Sequence, residues 1–511
     1  MAQTPYYVSE NDLIAGWDFS TGAVKCLLFT RTGEVAAEIR LPTDLWGEEG
    51  VRELNIMQLE GQARASVRAI ARCLRDSSGQ ITARWVAGGI SATHHTAGLI
   101  DGDANQVRRM ICWNDQTLGQ YHAEGLARLG GQDRVKSLIG GPWAVRYSLS
   151  HLVKDEQTLS ETDWKRIAKM LPHGPLAGGY LTDRFDVTSV SSAASTGMMN
   201  LATEQWQPEM LDAIQNPAYR EIVWASLPRI QDMNDPLGPL AAHIKLDAGL
   251  NESTNPLLFP TLDDQAAGLI GGGAVDAGQV AIILGNSAVV NSSAATPPQS
   301  GNLDAMKLNW GTYLWMRCYS NGAQFLNRVV GTNPDWTKLE AAARAVPPGC
   351  NGITVSPFVL SEPSIGIEKP RFGWSPNEPS DEGVRVRASF EALAYLIALA
   401  VKEHEAAGQK ITRITVSGGI AKNDLMLEIL ASVLDKPLER LVSDEGSALG
   451  AAVCALAGYE SFARRNAGDV NPFTAADAVA CMVRFRGQIV PRPEWVAAYR
   501  KLSANGFQLA K

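Results

Sequence analysis

Two short segments of this chain share one build although they lie roughly half a chain apart. The first, LIAGWDFSTGAVKCLLFT (Leu13–Thr30), is an apolar run ended by an acid, a small polar turn and a second apolar run. The second, QVAIILGNSAVVNSSAA (Gln279–Ala295), repeats that order. Short apolar runs bounded by Ser, Thr, Gly and Asn form paired strands joined by a tight turn. A hairpin recurring at such a distance constrains the chain to two related halves, each opening on its own hairpin. Length agrees, because 511 residues exceed one ordinary hydrophobic core and call for two domains.

After the first hairpin a Thr-Gly turn leads into a third strand. Leu59, Ala63, Val67, Ile70 and Leu74 then recur at helical spacing, and WVAGGIS (Trp85–Ser91) reads as a buried strand. Helix feeding strand gives α/β layers. In the second half Val386, Phe390, Leu393 and Ile397 mark a long helix, ITRITVS a strand, and Met426, Ile429, Leu430, Val433 and Leu434 another helix. After a short strand near Leu438–Val442, SALGAAVCALAG forms a helix with a face of small residues, which allows close backbone packing. The loop-rich stretch LDAGLNESTNPLLFP (Leu246–Pro260) places the domain boundary, dividing the chain into 1–255 and 256–511. IEKPRFGWSPNEPSDEG (Ile367–Gly383) has the Pro, Gly and charge content of a long surface loop.

Charge narrows the partners. A net charge of -8 without a Lys/Arg block argues against a nucleic-acid surface and against an anionic-membrane anchor, and favours a small substrate. The seven cysteines are scattered and never in a CxxC spacing, so they read as reduced, mostly buried residues and not as disulfides or a zinc knuckle. The N-terminus MAQTPYYVSEND lacks a basic region followed by an apolar core, and no apolar stretch is long enough to span a bilayer. A cytoplasmic location is expected.

Three elements carry candidate chemistry. DFSTGAVK (Asp18–Lys25) lies in the first hairpin turn, where Asp18 can orient a hydrated magnesium ion while Ser20, Thr21 and backbone amides hold phosphate oxygens. Such a turn also serves in plain hairpins. LGNSAVV (Leu284–Val290) occupies the equivalent turn of the second hairpin. There Gly285, Asn286, Ser287 and Ala288 are small enough to let backbone approach a polyphosphate. If the halves pack about a pseudo-twofold, the two turns face each other across a cleft. VSGGIAKND (Val416–Asp424) is a strand, then Gly418 and Gly419, then a helix start capped by Asn423 or Asp424, with SDEGSALGAA (Ser443–Ala452) as the far wall. Two glycines there can admit a flat base, although Gly-Gly also serves in strand-to-helix turns that hold no ligand.

In this order and spacing the three elements resemble the ATP-binding signatures of the actin-like superfamily, and more closely the FGGY carbohydrate kinase family, its xylulokinase (pentulose kinase) branch above all. Matches run from about Leu13 to Gly458. The resemblance implies an α/β fold of two ribonuclease-H-like (actin-like ATPase) domains with a central nucleotide cleft. It also implies ATP and Mg2+ as cofactors and a sugar as acceptor, with homodimers common in the family. By the same resemblance, in FPTLDDQAAGLIGGG (Phe259–Gly273) Asp264 is the base that takes the proton of the sugar hydroxyl and Gln265 contacts the sugar, while Asp263 caps or orients. Such a base is chemically apt, since a sugar hydroxyl is a poor nucleophile without a carboxylate in reach. Lys25 lies in the first phosphate signature, Asp18 supports the metal through water, and Asp264 stands beside it.

The resemblance draws the sugar pocket mainly from the first half. ISATHHTAGLID (Ile90–Asp101) puts His95 against the ketose and His94 where related enzymes often carry Met. A His pair can also bind metal, but the sequence offers no third ligand at a telling spacing, and His94 can equally be a core histidine. ICWNDQT (Ile111–Thr117) resembles a sugar-site motif in which Trp113 gives a ring face and Asp115 accepts hydroxyl bonds. Its plain alternative is a buried Trp beside a helix cap. Ser20, Asn286, Asp263 and Ser189 stand where the family usually has Gly, Thr, Gly and Asp. D-xylulose, giving the 5-phosphate, is the expected substrate. Ribulose, another ketose, a polyol and gluconate stay open, and glycerol is disfavoured because no Arg-Glu pair replaces Trp113 to Asp115. An actin-like ATPase and a non-catalytic sugar-binding relative are the readings from other classes.

Overall fold

In the computed structural model, residues 6–504 are described apart from 82, 252, 253 and 302. Residues 252 and 253, inside the stretch where the sequence places the boundary, and the first five residues of the N-terminus thus lie outside it. The first hairpin forms as read: β1 (Leu13–Phe19) pairs antiparallel with β2 (Ala23–Thr30), which pairs with β3 (Val35–Pro42). Helix α1 (Ile56–Cys73) starts where the Asn55 side chain accepts from Met57 N. It buries the stripe Leu59, Ala63, Val67 and Ile70. The chain then returns as β4 (Trp85–Ala92), parallel to β1 and buried on both faces as its unbroken apolar run requires.

This sheet is finished late in the chain. β5 (Gly238–Pro239), β6 (Leu257–Leu258) and β7 (Leu262–Asp263) complete it in the order β5-β6-β4-β1-β2-β3, with β7 also beside β4. The first sheet therefore runs on to Asp263, past residue 255. A second, five-stranded sheet joins two short strands that precede α1, Leu45–Trp46 and Glu53–Leu54, to Ala97–Ile100, Gln106–Ile111 and Lys169–Pro172, and with several helices between β4 and β5 it forms a subdomain.

Helix α2 (Asp264–Gly271) leads into the second half, where β8 (Gln279–Leu284) and β9 (Ala288–Ala294) form the second hairpin. With β10 (Asp304–Lys307), β11 (Tyr313–Tyr319), β12 (Arg413–Ser417), β13 (Leu438–Leu441) and β14 (Phe485–Ile489), the sheet order is β10-β11-β9-β8-β12-β13-β14. The series β11-β9-β8-β12-β13 repeats the series β3-β2-β1-β4-β6. In both, three antiparallel strands adjoin two parallel ones. The long helix is α3 (Glu382–Ala406), capped by Asp381, and α4 (Asp424–Leu434) is capped by Asn423. The stretch expected as surface loop carries a strand, Arg371–Ser375, paired with Thr354–Phe358.

Helix α5 (Gly446–Asn466) joins the halves. Its small-residue face lies on β1, β4 and α2, so closely that a Cβ at Gly16 would stand 1.9 Å from the Ala448 carbonyl oxygen. A Cβ at Gly450 would likewise stand 1.9 Å from that of Ala267. All seven cysteines are free, four of them buried. No helix among the described residues is long and apolar enough to cross a membrane.

Candidate active site

Asp18 ends β1 opposite Lys25 and beside Ser91 of β4, whose hydroxyl lies 3.4 Å from its carboxylate. Burial pushes the Asp18 carboxyl up to about 6, against the pull of Lys25 and with the push of Glu445. Lys25 is ion-paired with Glu445 at the start of α5. The Ser20 hydroxyl closes its own turn, donating to the Ala23 carbonyl at 2.8 Å, and Thr21 stands half-exposed at the tip.

In the second hairpin, Gly285 N donates to Ser287 O, and Gly322 N and Ala323 N donate to the carbonyls of Asn286 and Gly285. The turn is thereby fixed against the start of helix Ala323–Val330. Gly418 follows β12 with φ 94° and lies so near that a Cβ would stand 2.4 Å from the Leu284 carbonyl oxygen, which only glycine permits. Gly285, Asn286, Gly419 and Asn423 line one cavity of about 610 Å³, together with Trp336, Phe390, Ile420 and Lys422. Ser20 and Thr21 do not line it.

A second cavity, about 350 Å³, gathers His94, His95 and Trp113 from the first half with Asp264, Gln265 and Ser287. Asp264 opens α2, one residue after Asp263, whose carboxylate caps that helix through Gln265 N and Ala266 N. Burial, then the charges of Asp263 and Asp18, push the Asp264 carboxyl up to about 8. Asp263 is itself pushed to about 6 by burial. Gln265 donates to Asp264 at 3.3 Å and accepts from Asn291 at 3.1 Å, which fixes its amide.

The histidines stack, His94 on His95 at 3.6 Å and His95 on Tyr147 at 4.2 Å. Burial holds both well below the usual histidine range, so both imidazoles are neutral. His95 donates from Nδ1 to the Ser195 carbonyl at 2.7 Å, leaving Nε2 as an acceptor. The Trp113 ring is 39% exposed at the cavity wall.

Asp115 is not brought into this cavity. Its buried carboxylate accepts from Arg52 N and from the amide and hydroxyl of Thr117, with Lys154 3.6 Å away. It organises the loop that presents Trp113. Ser189 caps a short helix through Ser192 N. Among the cavity residues that escape sequence reasoning, two are charged, Arg146 and Glu362. Arg146 is ion-paired with Asp304, and Glu362 accepts from Ser320 N and Asn321 Nδ2. Neither lies in a recognisable pattern, and their partners are distant in sequence or in an unremarkable loop.

Asp263 and Asp264 thus stand side by side, Asp18 is near enough for its charge to act on Asp264, and Lys25, opposite Asp18, is already paired with Glu445. Such oxygen donors, all raised in pKa by burial and Asp264 further by the charges of Asp263 and Asp18, fit a hard divalent cation. Two pseudo-equivalent α/β domains of the ribonuclease-H-like, actin-like type define the fold class. Residues 13–271 match the N-terminal domain of the FGGY family of carbohydrate kinases, and residues 281–459 match its C-terminal domain. The chain belongs to this family, whose members use ATP as phosphate donor to a sugar.

Among its relatives, the xylulose kinase of Bacillus subtilis is 23% identical over 460 residues, spanning 87% of this chain and 88% of that one. The glycerol kinase of Methylorubrum extorquens is 27% identical over 485 residues, 87% and 89% of the two chains. The crystal structure of gluconate kinase from Lactobacillus acidophilus superposes with a TM-score of 0.81 at 18% identity, covering 97% of this chain and 96% of that one. The fold is shared across all three acceptor types, so it does not select among them.

Proposed function

We propose that this kinase transfers the γ-phosphate of ATP to a ketopentose, D-xylulose to D-xylulose 5-phosphate, with Asp264 as the base. The observation that carries this reading is the meeting of Asp264, Gln265, His95 and Trp113 in one cavity. The ionised Asp264 takes the proton of the acceptor hydroxyl as that oxygen attacks phosphorus in line, and ADP leaves. Its high pKa makes it a strong base once ionised. Gln265 and the His95 Nε2 fix the sugar hydroxyls, and the Trp113 ring covers an apolar face of the sugar. Xylulose kinases among the relatives support the same acceptor.

ATP occupies the larger cavity, its base between Gly419 and Trp336 and its phosphates directed past Asn286 and Ser287 toward Asp18. Lys25, released from Glu445, answers the phosphate charge. Asp18, through water, and Asp264 would hold a magnesium ion, which when bound neutralises phosphate oxygens.

The test is ADP release from ATP and Mg2+ across ketopentoses, aldopentoses, polyols, glycerol and gluconate. D-xylulose should stimulate turnover most. Stimulation by glycerol or gluconate alone would sink the xylulose reading while keeping the kinase. Asp264→Ala should reduce turnover by about 10³-fold with nucleotide binding kept, and retained turnover would remove Asp264 as base.

A further inference from the structure

His94, which lines the smaller cavity, stands beside Asp263, and each is only 4% exposed. The His94 Nε2 stands 3.8 Å from Asp263 Oδ1, beyond hydrogen-bond reach. Neither His94 Nε2 nor Asp263 Oδ2 has a hydrogen-bond partner among the described residues, although buried polar atoms are nearly always bonded. Asp264 supplies a third donor. Ligand atoms of His94, Asp263 and Asp264 all lie within 4.8 Å of one another.

The arrangement is held by the sheet. β7 lies parallel to β4 with Asp263 paired to Ala92, two residues before His94, so backbone register brings the imidazole and the carboxylate together. Donor atoms each about 2.1 Å from one ion stand up to about 4.2 Å apart. With none of the three trans to another they would stand about 3.0–3.6 Å apart, so the widest separation, at most 4.8 Å, closes by about 1.2–1.8 Å around an ion, within reach of side-chain torsions. This is the third ligand that the sequence could not show.

We propose that His94, Asp263 and Asp264 form a site for one first-row divalent transition ion, manganese through zinc, occupied before nucleotide arrives and open toward the acceptor. An imidazole joined to two carboxylates suits these ions better than Mg2+, which prefers oxygen and keeps its water. The site differs from that of the magnesium accompanying ATP by its nitrogen donor. His94 and Asp264 both line the cavity, so the ion's free positions face the space where neighbouring sugar hydroxyls can complete its coordination. One Asp264 oxygen would be shared between this ion and the magnesium, leaving the other for the acceptor proton.

The experiment uses the full chain, stripped with EDTA and titrated with Mn2+ alone, without ATP or sugar, so that it is independent of the proposed acceptor. Free Mn2+ is followed by electron paramagnetic resonance. One ion should bind per chain, with micromolar affinity, and a tenfold excess of Mg2+ should leave it in place. Pulsed spectra of the bound ion should show coupling to a single nitrogen. His94→Met should abolish that coupling and weaken binding at least tenfold, and Asp263→Asn should weaken it comparably. No nitrogen coupling in the unaltered protein, or unchanged affinity in His94→Met, would overturn the site. The coupling is read without any substitution, so a poorly folding variant does not obscure the result.

Discussion

Asp264 sits where its ionised form is least comfortable, partly buried and beside two other carboxylates. Its folded pKa of about 8 lies above the unfolded value of about 3.9. Between those limits the folded chain holds a proton that the unfolded chain has lost, so stability falls as pH rises through the window. Asp18 and Asp263, both near 6, act in the same direction over its lower part. In EDTA and without nucleotide, Asp264→Asn should therefore raise Tm at pH 8.5 by a few degrees, about 2 kcal/mol, and have little effect at pH 5. Calorimetry at the two values checks this, and an equal effect at both would show that charge is not the cause. The sequence exposes the acid pair because it sits in an unusual place. It does not reveal that Asp115 turns inward to Thr117 and Lys154, since a capping Asp and a sugar-binding Asp look alike in one dimension.

At the scale of elements, the small-residue helix was readable but its partners were not. Composition shows that α5 can pack closely; only the fold shows that Gly16 and Gly450 meet carbonyls of Ala448 and Ala267. Gly16→Ala should cost about 2–3 kcal/mol or more, because neither backbone can yield without parting the halves. Gly61 is the contrast. It lies exposed inside α1 with nothing near its missing Cβ, so Gly61→Ala should stabilise by up to about 1 kcal/mol. Urea unfolding of both variants, monitored with nucleotide absent, reads the opposite signs. The two hairpins were legible for a simpler reason: strand, turn and strand are local. The late return of β6 and β7 to the first sheet was not, because a two-residue strand carries no periodicity.

For the whole molecule, the two cavities differ in ownership. Every residue around the larger one comes from the second half, whereas the smaller one joins His94, His95, Trp113 and Arg146 of the first half to Ser287, Met316 and Glu362 of the second. The base of the nucleotide should therefore rest on the second domain while its phosphates reach Asp18 and Lys25 of the first, and acceptor binding should depend on how the domains meet. Trp336, 37% exposed at the mouth of the larger cavity and stacked on Phe390, offers a ring face to a base. Loss of such aromatic contact costs about 1–3 kcal/mol. Trp336→Ala should raise the KM for ATP about 5- to 100-fold and leave the acceptor KM within about twofold. Trp113→Ala should do the reverse, raising the acceptor KM while the Kd for ADP, measured by calorimetry, stays unchanged. If each substitution moved both constants together, the cavities would be coupled through closure in the free protein, and the nucleotide's base could not be said to rest on the second domain alone.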